Sequence, residues 1–167
     1  MEKRSIEHII RALTEGQVQY LIAGGLAVVA HGYVRFTADI DILLAMDKPN
    51  LVKAIMALKS LNYRPRAPVD FEQLLDSNQR KQWIRQKGMT VFSLYSPDHP
   101  VTEVDLFIDL PLDFGKAYSR AVMMEVAPGI RGSFCSLEDL ILLKSRAGRP
   151  RDLEDIEQLR KLNKDLK

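Results

Sequence analysis

A mixed α/β architecture is predicted by three features of the sequence. Apolar residues recur at helical spacing in several segments, and short aliphatic runs bounded by glycine, proline or acidic residues lie between them. No repeat or low-complexity tract interrupts the alternation. With 167 residues, 46% hydrophobic and 28% charged, the chain is long enough for one domain with a real core, and disordered, collagen-like and coiled-coil classes are excluded. The expected division is a sheet core over residues 1–130 followed by a helical portion over 131–167.

Ile6, Ile9, Ile10 and Leu13 share one helical face behind Ser5, a candidate N-cap, and Gly16 closes this first helix. Tyr20 to Ala23 is a short strand running into Gly24-Gly25, after which Leu26 to His31 reads as a helix ended by Gly32. Residues 39–44, Asp-Ile-Asp-Ile-Leu-Leu, alternate acid and aliphatic before turning wholly apolar, as a central strand entered from a polar loop does. Helices are expected over 49–61 and 70–87, the second with Phe71, Leu74, Leu75, Trp83 and Ile84 inward and Gly88 as its stop. Residues 89–95 and 101–110 read as an antiparallel pair split by a turn rich in proline. A strand over 121–126, a turn at Pro128-Gly129, and helices over 137–147 and 152–162 complete the reading.

A formal charge of +2 is too balanced for a wholesale binder of nucleic acid or membrane. The longest apolar run, residues 20–30, falls short of the roughly 18 residues of a membrane span. The charged start predicts no secretion signal and hence a cytoplasmic location. The single cysteine, Cys135, has no partner for a disulfide and reads as a packed thiol, and no His or Cys pair has zinc-ligand spacing. Charge is nevertheless uneven. Residues 91–115 hold five acids and no base, whereas residues 144–151 hold four bases and no acid, as a site for metal ions and polyphosphate requires.

Asp39 and Asp41, two apart on a strand, leave the same face with Cα atoms about 7 Å apart, close enough for one metal centre. Such like charges need a cation or basic partner, and Mg²⁺, which prefers oxygen, is the natural one. Asp105, inside the apolar run Val104 to Ile108, is a third acid on a strand. The alternative is that Asp-x-Asp is a turn or a solvated strand edge. Gly24 and Gly25 stand where a strand hands over to a helix, so their amides can approach a phosphate without a Cβ in the way.

This order of strand, Gly24-Gly25, helix, Asp39-x-Asp41 and distant Asp105 resembles the polymerase-beta-like nucleotidyltransferase superfamily. Ile22 to Gly25, His31-Gly32, Arg35, Thr37 and Asp39 to Asp41 are most similar to the small bacterial nucleotidyltransferases, abortive-infection toxins among them. Lys144 on a helix, the basic loop Ala147 to Arg151, then Asp152 and Asp155 extend the likeness, while residues 51–88 match nothing specific. Gly25 stands where many relatives carry serine, which removes one hydroxyl from the triphosphate site.

The resemblance implies a nucleotidyltransferase fold holding two Mg²⁺ (or Mn²⁺) ions on Asp39, Asp41 and Asp105. A nucleoside triphosphate is the implied donor, the acceptor is an RNA end such as tRNA, a protein or a small molecule, and an antitoxin is the implied partner. Lys144 continues the stripe of Leu137, Leu140 and Ile141, so it meets a triphosphate or Asp152, or snorkels at its helix end. Arg149 and Arg151 either contact phosphate or are solvated, and Asp152 either N-caps the last helix with Asp155 at N3 or orients Lys144. Arg35 and Thr37 precede the acids, where a guanidinium holds phosphate and a hydroxyl orients a carboxylate. His31 reads as a helix-end residue, and Arg80, Lys81, Arg85 and Lys87 as a solvated face around a buried Trp83. Two readings compete with transfer: a nucleotidyltransferase-fold binding module without catalysis, and a metal-dependent nuclease.

Overall fold

The computed structural model describes residues 2–163, so the outermost residues of the expected 1–167 span lie outside the described residues. The chain runs α1 (Lys3–Glu15), β1 (Tyr20–Ile22), α2 (Gly24–Ala30), β2 (Asp39–Leu44), α3 (Lys48–Lys59), β3 (Arg64–Pro65), a 3₁₀ turn (Phe71–Leu75), α4 (Ser77–Lys87), β4 (Val91–Tyr95), β5 (Glu103–Phe107), α5 (Phe114–Ser119), β6 (Val122–Ala127), β7 (Ile130–Phe134), α6 (Leu137–Ala147) and α7 (Pro150–Leu162). The strands form one mixed sheet in the order β3-β4-β5-β2-β1-β7-β6. β1 pairs antiparallel with β2 and parallel with β7, β2 pairs parallel with β5, and β4 with β5 is antiparallel as predicted.

β2 is central because Ile40, Ile42, Leu43 and Leu44 are all completely buried, while its two acids stay half-buried at the end where the strand begins. One apolar core joins Ile9, Ile10 and Leu13 of α1 to Leu51 and Leu58 of α3 and to Leu140 and Leu159 of the last two helices. Trp83 is 2% exposed and stacks on Phe92 at 5.4 Å, as its predicted core position requires. Cys135 is buried, and burial pushes its thiol up to about 12. Among the described residues, no helix is long and apolar enough to cross a membrane.

Several predicted elements differ from the observed ones. The helix expected over 70–87 is broken at Asp76, which turns extended so that its carboxylate accepts from the N–H groups of Asn78 and Gln79 and caps α4. Ser5 does not cap α1: the helix starts two residues earlier, and the Ser5 hydroxyl lies inside, 2.9 Å from His99 Nδ1. β7 was not anticipated, because Ile130-Arg131-Gly132-Ser133-Phe134 lacks clean alternation. Gly132 explains its place: a Cβ there would lie 3.2 Å from both Ile10 and Phe134, so the glycine lets α1 pack closely on the strand. The sheet therefore runs past residue 130 to Phe134. The short α5, capped by Asp113, and the two-residue β3 were likewise not anticipated.

Candidate active site

The parallel register of β2 and β5 sets Asp39 beside Glu103 and Asp41 beside Asp105. Paired positions in a sheet share a face, so Asp105 projects on the same side as Asp41 and Asp39. Burial pushes the Asp41 carboxyl up to about 6, and the nearby Asp39 and Asp105 charges push the same way. Asp105 is raised as well, chiefly by burial, with the Ser93 hydroxyl on β4 partly offsetting it. Three acids thus crowd one strand end, with raised proton affinity at two of them.

The glycine pair is shaped around this cluster. Gly24 has φ of +58°, and a Cβ there would fall 1.6 Å from Asp41 Oδ2, so no other residue fits without moving the acid. At Gly25 a Cβ would lie 2.3 Å from Thr37 Oγ1. Thr37 is buried and its hydroxyl donates to Asp39 Oδ1 at 3.1 Å, which orients that carboxylate. A serine at position 25 would therefore displace Thr37, whose side chain from the loop before β2 occupies that space.

On the opposite wall, α6 and α7 carry the basic residues. Lys144 is 5% exposed, and its ammonium lies 3.1 Å from Asp152 Oδ1 and 2.6 Å from Asp155 Oδ2. Asp155 is wholly buried and also takes a bidentate pair from Arg35, Nε at 2.7 Å and Nη2 at 2.8 Å. Asp152 is the third residue of α7 and not its N-cap, which is Arg149. Asp152 accepts from the Arg149 backbone N–H and from Arg149 Nε. Burial pushes the Asp152 carboxyl up, but the hydrogen bonds from Arg149 and Lys144 more than offset this and hold it below the ordinary range. Arg151 donates to the Phe36 carbonyl, as does Arg35 Nη1 at 2.9 Å.

These residues line one cleft of about 680 Å³, within the range of roughly 300–1,000 Å³ of ligand pockets. All of Gly24, Gly25, Arg35, Thr37, Asp39, Asp41, Asp105, Lys144, Arg149, Arg151 and Asp152 reach it. Phe36, Asp109 and Arg146 also line it and were not singled out from the sequence. Asp155, read as a helix-start residue, is instead the hub between Arg35 and Lys144; its three-residue spacing from Asp152 on a face continued by Ile156 and Leu159 was the available signal. Outside the cleft, His31 ends α2 and its Nε2 donates to the Cys135 carbonyl at 2.9 Å.

Among the described residues, no three His, Cys, Asp or Glu side chains are drawn together as a ready-made ion cage. The donor set still suits a hard divalent cation: all its oxygens are carboxylate, and burial together with the Asp39 and Asp105 charges pushes the Asp41 carboxyl up to about 6. Lys144, by contrast, already has two carboxylate partners.

A search of curated proteins finds no match to the chain. Residues 4–165 match the family described as a nucleotidyltransferase of unknown function, DUF6036. That span covers the glycine turn, all three acids and the basic segment, and the mixed sheet packed by helices is consistent with a nucleotidyltransferase fold. The chain belongs to this DUF6036 nucleotidyltransferase family.

Proposed function

We propose that the protein is a metal-dependent nucleotidyltransferase that moves a nucleoside monophosphate from a nucleoside triphosphate to an acceptor hydroxyl. The observation that carries this reading is the register that sets Asp105 beside Asp41, on the face that also presents Asp39. Asp39, Asp41 and Asp105 would hold Mg²⁺ or Mn²⁺, which would supply charge neutralisation at the transferring phosphoryl group and lower the pKa of the acceptor hydroxyl. Asp105, beside Asp41 in the strand register, takes the acceptor's proton. The acceptor oxygen bonds to the α phosphorus, the bond from that phosphorus to the bridging oxygen breaks, and pyrophosphate leaves with the electron pair. Thr37 keeps Asp39 in one orientation. The amides of Gly24 and Gly25 and the exposed guanidinium of Arg149 meet the β and γ phosphates, with Arg151 at the rim. Lys144 contributes from behind its two carboxylates, and Arg35 acts by fixing the loop that carries Thr37.

The acceptor class is an RNA end such as tRNA, a protein or a small molecule, and a toxin role with an antitoxin partner and a cytoplasmic setting belongs to the same proposal. A second reading, a binding module without catalysis, is favoured by one observation: the most deeply placed cation of the cleft is already neutralised from within. Incubation with α-labelled triphosphates, Mg²⁺ and mixed RNA and protein acceptors separates the two. Transfer of label by the wild type and its loss in Asp41→Asn is the expected outcome; equal label transfer by the variant, or none by either protein, overturns the transferase reading.

A further inference from the structure

Phe36 stands out on three counts. It is 73% exposed, far above the other exposed aromatic rings, Tyr95 at 43% and Tyr118 at 37%. It lies at the wall of the same cleft as the three acids. Its backbone is also held firmly: Arg35 and Arg151 both donate to its carbonyl, Arg35 is itself clamped by buried Asp155, and the next residue, Thr37, is buried. A firmly held loop therefore presents a large apolar ring to water at the cleft wall, where covering it with a flat partner is favourable.

What covers it is constrained by its neighbours. Phe36 stands three positions before Asp39, so at most about 10 Å of backbone lie between the ring's attachment and the first acid. That is about the span of a nucleoside from its phosphate to its base. The cleft lining also offers the guanidinium groups of Arg35, Arg149 and Arg151 and a second ring at Phe107, and among the described residues it holds no Asn or Gln to read adenine by its edge. Anionic and flat at opposite ends, a nucleotide meets both features.

We propose that Phe36 is the platform on which the base of the bound nucleoside triphosphate stacks. This rests on the transferase reading and adds the means by which the base, as distinct from the phosphates, is held. Stacking is tolerant of base identity, so the platform serves all four bases.

The test measures binding of ATP, GTP, CTP, UTP and inorganic tripolyphosphate, each with Mg²⁺, to the wild type, Phe36→Ala and Phe36→Trp. Loss of a stacked base weakens affinity roughly 5- to 150-fold. The expected result is such a loss for all four nucleotides in Phe36→Ala, recovery in Phe36→Trp, and tripolyphosphate binding equal in all three proteins. Unchanged nucleotide binding by Phe36→Ala overturns the inference while leaving the transferase reading intact. Parallel loss of tripolyphosphate also overturns it, since the ring would then be acting on the phosphate end through its loop. Failure of the wild type to bind any nucleotide overturns both readings together.

Discussion

On one wall of the cleft three carboxylates stand on adjacent strands, and on the other two carboxylates and two cations are closed into a buried network. Asp39, Asp41 and Asp105 come from neighbouring strands, and burial with the added charge of the neighbouring acids raises the proton affinity of Asp41 and Asp105. Asp152 and Asp155 come from one helix and are gripped by Lys144, Arg149 and Arg35. The rule that a buried charge must be paired applies to both walls. Among the described residues no Lys or Arg forms an ion pair with the three acids of the first wall, whereas the second wall completes its pairing within. The difference separates ligand-facing chemistry from scaffold: a charge already satisfied from within holds a wall in place, and a charge left wanting marks where a ligand goes.

The strongest way to break this contrast is to open the closed network. Removing the Asp155 carboxylate strands Arg35 and leaves Lys144 with Asp152 alone, and breaking a buried pair from one side costs about 3–5 kcal/mol. Asp155→Ala is therefore expected to lower the stability of the metal-free protein by that amount in urea unfolding. A loss below about 1 kcal/mol, the value of a surface pair, would place the network among solvated ion pairs.

The acidic wall sharpens the contrast because its pH dependence has the opposite sign. Asp41 in the folded protein titrates at about 6 against an ordinary 3.8, so the folded state binds the extra proton and its stability falls as pH rises between those values. Asp152 is held below the ordinary range, so its contribution is present above the ordinary carboxylate pKa and is lost as pH falls through its folded value. Buried His99, lowered chiefly by burial, loses stability as pH falls through 6.5 and overlaps the Asp41 window, so only a difference between variants isolates Asp41. Without metal, Asp41→Asn is expected to be more stable than the wild type at pH 7.5, by about 1–2 kcal/mol after allowance for solvent screening. The advantage shrinks as pH falls through about 6 and disappears near 3.8. Mg²⁺ reverses the order, since a ligand at 100 times its Kd adds about 2.7 kcal/mol to the wild type and little to the variant. Thermal unfolding of both proteins across pH, with and without Mg²⁺, reads both effects.

The two walls also differ in how far the sequence disclosed them. Asp39, Asp41 and Asp105 were legible because acids inside aliphatic runs contradict the surrounding pattern, and strand alternation fixes their face. The network was only half legible. Lys144 betrayed itself by continuing an apolar stripe, but its main partner is Asp155, and the Arg35 to Asp155 pair joins residues 120 apart that no local period connects. The fold shows the same limit: segments with clean periodicity were found, whereas β7 was missed because Gly132 owes its presence to close packing against Ile10. Phe36 escaped notice because exposure is a property of the folded chain.

Between the two walls stands Arg149, which belongs to the network by one contact and to the solvent by most of its surface. Its side chain is 77% exposed, and its pair with Asp152 spans only three residues, a geometry worth about 0.2–1 kcal/mol at most. Asp152 also keeps Lys144 as a partner, so losing the arginine leaves no buried charge alone. Arg149→Ala is therefore expected to move stability by less than about 1 kcal/mol, the smallest effect of the series. Its effect on ligand binding is expected to be larger, because an exposed guanidinium is free to turn toward a phosphate and a buried ammonium held by two carboxylates is not. A charge-assisted contact of about 1.5–3 kcal/mol corresponds to a rise of roughly 10- to 150-fold in the Kd for Mg²⁺-triphosphate. If Lys144→Met weakens triphosphate far more than Arg149→Ala, in variants matched for unfolding midpoint, the closed network is itself a ligand site and the contrast between the walls fails. If Arg149→Ala has the greater effect, the phosphates are met by the most exposed cation of the network.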